Sequence, residues 1–226
     1  MKRRDCLRLA ATAAGASATG CLSALGSEDR GAANAYLESP RDVHEGADYP
    51  TYGEAVPQVE LRDVFTDSDV STRQDGEYLM TFFYTFCPTE CIWIVSALTH
   101  TEARVVEQGG EPPRVLAASF DPARDSPERL LDYSERMGID EDNWSLLRPK
   151  NEERAEEVVG GDFGLSFSKR SAGGEGGIYD FLHDTLILLV NKDGYVERTY
   201  TNEEPDPDTI ASDLAALREA QNADGR

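Results

Sequence analysis

The chain has 226 residues, and its 43 Asp and Glu outnumber its 22 Lys and Arg, so that the formal net charge is −21. Nucleic acids and anionic membranes bind clustered positive charge, which argues against both as partners of this surface. The length suits one domain with appendages, and the acidic excess predicts a heavily hydrated surface from a salt-loving source, where dissolved ions would screen the charge.

The first twenty residues are basic, in contrast to the rest of the chain. Residues 2–8 read KRRDCLR and resemble a twin-arginine export signal. The mildly apolar run that follows is too short to span a bilayer, and it leads into Ala18–Cys21, which resembles a lipoprotein processing site. We therefore expect residues 1–20 to be an export signal. Cys21 would carry a lipid that anchors the mature protein on the outer face of the cell membrane.

Residues 21–56 are poor in large apolar side chains and rich in Gly, Ala, Asp and Glu, which is typical of a flexible tether. His44, within this tether, is predicted to be solvated rather than a metal ligand. The folded domain is predicted to extend over residues 57–222. It begins with a short strand in Val59–Phe65, and the turn-rich stretch Thr66–Gly76 follows.

The strongest pattern is the apolar and aromatic run Tyr78–Phe86, which predicts a buried strand ending at Cys87. Cys91 follows four residues later, and a helical pattern then runs from Ile92 to about Val106. Residues four apart on a helix lie within roughly 40° of one face, so the two thiols can share a metal or close a disulfide. The partial positive charge of a helix N-terminus also favours thiolate over thiol.

The distribution of the cysteines indicates that Cys87 and Cys91 react with a partner or bind a metal ion. Cys6 and Cys21 fall in the leader, so the exported domain keeps Cys87 and Cys91 alone. A disulfide that closes so small a loop adds little stability, because the entropic effect of a disulfide grows with loop length. His100 lies nine residues after Cys91, about 180° round the helix, which excludes it as a ligand beside the thiols.

The predicted helix presents one stripe to the sheet, interrupted by Glu102. The members of the stripe are Cys91, Ile94, Val95, Leu98, Val105 and Val106.

The rest of the chain alternates between predicted strands and helices. In chain order, these are a strand at 114–120, a helix at 128–137 capped by Ser126 and Pro127, a short apolar segment at 144–147, an acidic helix at 152–159, a flexible loop at 171–177, a strand within 178–191, a turn at 191–194, a strand at 195–200 and a closing helix at 206–221. The helix between the first two long strands predicts a parallel crossover. This order predicts an α/β thioredoxin-like fold, with a central mixed sheet flanked by helices and a β-hairpin near the C-terminus.

Three segments resemble the Sco/SenC family of copper chaperones, and together they span roughly residues 59 to 200. Residues 83–91, FYTFCPTEC, resemble the family's metal-site segment. Residues 121–127, DPARDSP, resemble its Asp-Pro-x-Arg-Asp-Thr-Pro signature. His183 follows a glycine-rich loop and precedes the hairpin, where the family places its metal histidine. Within the second segment, Asp121 and Arg124 are predicted to form an ion pair that fixes the loop.

The resemblance implies a thioredoxin-like protein that binds copper through Cys87, Cys91 and His183. Two thiolates and an imidazole suit Cu(I) in a trigonal site, or Cu(II) with an added ligand, whereas zinc usually takes a fourth ligand. The sequence departs from the family pattern at Thr89 and Ile92, where Asp and Pro are common, but neither change removes a donor atom. The carboxylate of Asp184 should point away from His183, because neighbours on a strand face opposite sides.

The resemblance also implies the function. As a chaperone, the protein would accept copper from a donor protein and deliver it to the dinuclear copper site of a haem–copper oxidase subunit, without catalytic turnover. The alternative is a thiol–disulfide oxidoreductase that reduces the cysteines of that subunit, with Cys87 attacking and Cys91 resolving. A peroxidase of the peroxiredoxin type suits the paired thiols and Pro88 poorly.

Overall fold

The computed structural model describes residues 33–41, 46–171 and 179–224. The predictions for the export signal at 1–20, for the lipid anchor at Cys21 and for His44 lie outside these residues, as does nearly all of the predicted loop 171–177. In the part that is described, no helix is both long enough and apolar enough to cross a bilayer.

The described residues form one large and one small sheet. The strands of the large sheet are β1 (Glu60–Asp63), β2 (Ser68–Ser71), β3 (Tyr78–Phe83), β4 (Arg114–Ser119), β5 (Trp144–Arg148), β8 (Ile187–Val190) and β9 (Val196–Tyr200), in the spatial order β2-β1-β5-β4-β3-β8-β9. The small sheet pairs β6 (Phe167–Ser171) with β7 (Tyr179–His183). The helices are α1 (Glu90–Glu107), α2 (Pro127–Met137), α3 (Glu152–Ala155), which continues as a π-helical segment (Glu156–Asp162), and α4 (Pro207–Asp224).

The large sheet is mixed, as the sequence predicted. β3 pairs parallel with β4, and β4 with β5, whereas β8 runs antiparallel to β3 and forms the predicted hairpin with β9. All six residues of β3 and all four of β8 are buried. Central strands covered on both faces are continuously apolar rather than alternating, which explains why these two segments were the clearest strand predictions.

Helix α2 begins as the sequence predicted. The backbone N–H of Arg129 donates to Oγ of Ser126 at 3.3 Å, and Pro127 occupies the first helical position. Both features satisfy or remove backbone donors that a helix start leaves unpaired.

The prediction for the buried face of α1 was wrong at Val106. Val106 is 55% exposed, whereas Glu102 is buried. At about 100° per residue, Val106 lies some 20° beyond Val95 at the edge of the buried arc, while Glu102 falls inside the arc. The apolar pattern alone therefore placed the edge of the arc one residue too far.

The predicted strand within 178–191 is divided between the two sheets. His183 pairs with Phe167 in the small sheet, and Ile187 pairs with Thr81 in the large one. Between them the N–H of Asp184 donates to the carbonyl of Ser166 at 3.0 Å, outside either ladder. Strands β2 and β6 were not predicted, and the predicted helix at 152–159 is α-helical only as far as Ala155.

Part of the predicted tether contacts the domain. The backbone N–H groups of Tyr36 and Leu37 donate to the buried carboxylate of Glu197 at 2.8 and 3.0 Å. Ala55 forms a β-bridge with Tyr195, and Val56 belongs to the core. The division of the chain at residue 57 stays a prediction.

Glu102 is a buried acid with an incomplete set of partners. Its Oε2 accepts a hydrogen bond from the indole N–H of Trp144 at 2.8 Å, while its Oε1 has no hydrogen-bond partner among the described residues. Burial raises the pKa of Glu102 to about 7; the Trp144 hydrogen bond opposes this rise and the charge of Asp140 adds to it. The ionised form is therefore costly in the folded protein.

We predict that Glu102→Gln stabilises the protein at alkaline but not at acidic pH. In the unfolded chain a Glu titrates near pH ~4.3, so the wild type loses stability as the pH rises from there through about 7. The amide keeps an oxygen for Trp144 but cannot ionise. Thermal unfolding should show little difference at pH ~4, and a gain of about 1–3 kcal/mol at pH ~8. An equal gain at both pH values would contradict the assignment.

Candidate metal centre

The two cysteines lie where β3 gives way to α1. We call residues 84–89 the cysteine loop; it contains Cys87 and leads into the first turn of the helix, which contains Cys91. The helix begins at Glu90, two residues earlier than predicted. The N–H of Cys91 points at Sγ of Cys87, 3.3 Å away, so an unpaired donor of the helix start is directed at a thiol. In the described part of the chain both thiols are free.

His183 reaches the thiols from the small sheet. Its Nε2 lies 3.9 Å from Sγ of Cys87 and 3.8 Å from Sγ of Cys91. Its Nδ1 lies 3.0 Å from the carbonyl oxygen of Asp184, which places the ring proton on Nδ1 and directs the Nε2 lone pair towards the sulfur atoms. The rings of Tyr84 and Phe120 pack against the imidazole, with centroids 5.7 and 5.2 Å away.

The three predicted ligand residues therefore meet. Their donor atoms all lie within 4.8 Å of one another. Ligands that bind one first-row metal ion at about 2.0–2.3 Å lie roughly 3–4 Å apart, so the two sulfur–nitrogen separations fit a common ion. His100 is exposed on α1, where its Nδ1 contacts Oγ of Ser96 at 3.5 Å. The side chain of Asp184 is exposed, and the residue meets His183 through its backbone.

The two thiols differ in acidity. Hydrogen bonding from Cys91, followed by the interaction with the imidazole of His183, lowers the pKa of Cys87 to about 5 although burial opposes this. Burial, followed by the interaction with Cys87, raises the pKa of Cys91 well above its ordinary value. Burial disfavours the charged form of His183, but its bonds to Cys87 and to the Asp184 carbonyl outweigh that effect and raise its pKa. At neutral pH the pair holds one thiolate and one thiol.

A buried carboxylate holds the cysteine loop. Asp125 accepts hydrogen bonds from Oγ1 of Thr85 and from Oγ of Ser119, both at 2.6 Å, and also faces the Thr85 N–H at 3.3 Å. Burial raises its pKa. The sequence patterns did not single out Asp125, although it lies within the DPARDSP segment. Its position between the end of a predicted strand and the cap of a predicted helix was the signal that could have indicated a structural role.

Arg124 ties the cysteine loop to the small sheet. It forms the predicted ion pair with Asp121, and its Nη1 donates to the carbonyl of Tyr179 at 2.8 Å. The hydroxyl of Tyr179 donates back to Asp121 at 2.8 Å. The guanidinium also stacks on Phe86 of the cysteine loop, 4.6 Å from the ring centroid. Tyr84 adds a second tie, because its hydroxyl donates to the carboxylate of Asp180.

Several large apolar side chains next to the predicted ligands are exposed. Four exposed large side chains lie within two residues of a predicted ligand, namely Phe86, Ile92, Trp93 and Leu182, with exposed fractions of 38–64%. Such residues are uncommon on an acidic surface and mark a place where another molecule can pack.

This geometry defines a class: an α/β protein that places a dithiol and an imidazole together at the start of the first long helix. The family model described as SCO1/SenC matches residues 63–219. The chain therefore belongs to the SCO1/SenC family, and the resemblance inferred from the three segments is confirmed.

Solved structures agree on the fold. A SCO1/SenC family lipoprotein from Bacillus anthracis is 19% identical, with a TM-score of 0.62 over 80% of this chain and 99% of that chain. Yeast Sco1 with copper bound is 17% identical, with a TM-score of 0.62 over 74% and 89%. BsSco, described as a Sco-family cytochrome c oxidase assembly protein with a disulfide switch, is 23% identical, with a TM-score of 0.58 over 72% and 92%. A search of curated proteins found no match. The thioredoxin-like fold is confirmed.

We predict that the metal-free, reduced protein shows two well-separated thiol titrations. Thiolate absorbance in the ultraviolet should rise with a midpoint near pH 5, from Cys87, and again at high pH, from Cys91. Cys91→Ala removes the largest cause of the low value and should shift the first midpoint upwards, as should His183→Ala. Cys87→Ala is the control, because it should abolish the first transition. A single transition of two thiols above pH ~8 would contradict this assignment.

Proposed function

We propose that this protein is an exported, membrane-tethered copper chaperone that binds copper through Cys87, Cys91 and His183 and delivers it to the dinuclear copper site of a haem–copper oxidase. The observation that carries the proposal is the meeting of the three donor atoms within 4.8 Å, although they come from the cysteine loop, the first turn of α1 and the small sheet. A structural thiol pair has no need of an imidazole lone pair directed at both sulfur atoms.

The donor set supports copper as the cargo. Thiolate is a soft ligand that favours Cu(I), and imidazole suits both oxidation states of copper. Zinc in a structural site almost always has four protein ligands, and the cluster supplies three. Structures of yeast Sco1 and of Arabidopsis thaliana ScoI hold copper on the same fold, and BsSco is described as an oxidase assembly protein.

Delivery would proceed by ligand exchange. A thiolate of the oxidase subunit binds the copper ion and displaces the chaperone's ligands in turn, without any change in the number of electrons. The low pKa of Cys87 lets this sulfur leave as a stable thiolate at neutral pH, while Cys91 takes up a proton when it is released. The apolar side chains around the site give the acceptor a surface to pack against, which brings the two sets of ligands within reach.

The proposed location follows from the leader. The twin-arginine-like segment would export the protein, and a lipid on Cys21 would hold it on the outer face of the membrane, where a separate donor protein would load it with copper. The Bacillus anthracis relative is described as a lipoprotein, which supports a lipid anchor in this chain.

Copper titration of the purified, reduced protein tests the function. We expect stoichiometric binding of Cu(I) and of Cu(II), the latter with a sulfur-to-copper charge-transfer band. His183→Ala should weaken the band and lower the Cu(II) affinity at least about tenfold, since even outer-shell changes at metal sites cost that much. His100→Ala is the matched control and should bind like the wild type. Weak binding that is indifferent to His183 would overturn the proposal.

The unequal thiol pKa values favour one second function, the reduction of a disulfide in the oxidase subunit. The Cys87 thiolate would attack one sulfur of that disulfide, and the other sulfur would leave as a thiolate. Cys91, after losing its proton, would then attack the mixed disulfide and release the second acceptor thiolate, leaving a Cys87–Cys91 disulfide. Two electrons pass from the pair to the acceptor, and an external dithiol must restore the pair.

A trapping experiment tests this second function. Cys91→Ser cannot resolve the mixed disulfide, so it should accumulate a covalent adduct with the oxidised acceptor domain that a dithiol reductant reverses. Cys87→Ser should form none. Equal adduct formation by both variants, or none by either, would exclude the reductase.

A further inference from the structure

Glu90 lies beside the predicted ligands. It is the first residue of α1, and its Oε2 lies 3.5 Å from Sγ of Cys87. The hydroxyl of Thr89 donates to the same oxygen and so orients the carboxylate. Glu90 and His183 both line a cavity of about 150 Å³ at the surface of the site. The two side chains therefore border the same space.

The other carboxylates near His183 are engaged elsewhere. Asp180 lines the same cavity, but it accepts hydrogen bonds from the hydroxyl of Tyr84 and from the N–H of Phe181, the latter at 2.9 Å. The side chain of Asp184 is exposed, and this residue contacts His183 through its backbone carbonyl. Among the described acids, Glu90 is the one whose oxygen contacts a sulfur of the cluster.

Glu90 can supply the oxygen donor that oxidised copper favours. Two thiolates and an imidazole satisfy Cu(I), but Cu(II) is harder and favours a fourth ligand with a nitrogen or oxygen donor. A sulfur at about 2.3 Å and an oxygen at about 2.0 Å from one ion lie roughly 3.0–3.5 Å apart for angles between square-planar and tetrahedral. The observed separation of 3.5 Å from Cys87 meets this requirement for one sulfur. Glu90 lies outside the cluster of the three other donor atoms, so its carboxylate would turn towards the ion on binding.

We infer that Glu90 is a fourth ligand, which binds copper through a carboxylate oxygen in the oxidised state and stays unbound in the reduced state. The inference rests on the proposed function and adds a residue to its site. The sequence between the two cysteines would then have two roles, because Thr89 orients the oxygen ligand while the cysteines supply the sulfur ligands.

The test compares the binding of Cu(II) and Cu(I) to the full-length protein with its thiols reduced. Glu90→Gln and Glu90→Ala are titrated with Cu(II), and anaerobically with Cu(I) against a competing chelator. We expect the Cu(II) affinity to fall about tenfold or more, with an altered charge-transfer band and paramagnetic resonance spectrum, and the Cu(I) affinity to change less than about threefold. Each tenfold loss on Cu(II) alone raises the Cu(II)/Cu(I) potential by about 59 mV.

Asp184→Asn is the matched control, because it removes an equal charge next to His183 without touching the cluster. It should leave both affinities and the Cu(II) spectrum unchanged. If the Glu90 variants behave like Asp184→Asn, or lose Cu(I) and Cu(II) equally, Glu90 is not a ligand of the oxidised ion, although copper binding through His183 would stand. If the metal-free Glu90 variants melt at lower temperature, Thr89→Val decides, since it keeps the charge but releases the carboxylate. It should lower the Cu(II) affinity alone.

Discussion

The site depends on the packing of the small sheet against the cysteine loop. His183 belongs to a two-stranded sheet that shares no ladder with the strand leading to Cys87. The rings of Tyr84 and Phe120 hold the imidazole from one side, and Arg124 joins the loop to Tyr179 at the start of β7. Without these contacts the thiols would still form a pair, but the imidazole would have no fixed position relative to them.

Much of the fold was predictable because its centre leaves a local signal. β3 and β8 are almost continuously apolar, which is typical of buried strands. The helix between β3 and β4 predicts a parallel crossover, and the Lys-Asp-Gly turn predicts the last hairpin. The failures share a physical cause. Membership of a sheet is decided by pairing with distant segments, so nothing local to residues 178–191 reveals that β7 and β8 belong to different sheets.

The residues of the site could be predicted where their spacing in the sequence or a family resemblance identified them. Four-residue spacing at a helix start brings Cys87 and Cys91 together, whereas His183, 92 residues beyond Cys91, was assigned from a resemblance. Asp125 and Glu90 were missed because their roles arise from tertiary contacts: one accepts from the cysteine loop, and the other lies against a sulfur. A pattern of residue types does not encode such contacts.

The separate sheet of His183 has a consequence for how the protein parts with its cargo. Regions of a protein open in cooperative units, and each unit costs only the contacts that it makes itself. The backbone hydrogen bonds of β6 and β7 are made with each other, so opening this pair leaves the hydrogen bonds of the seven-stranded ladder intact. One ligand of three is thereby held by side-chain contacts rather than by the central ladder. To lose it, a three-coordinate ion needs only the packing of Phe181 and the hydrogen bonds of Tyr84 and Arg124 to be broken.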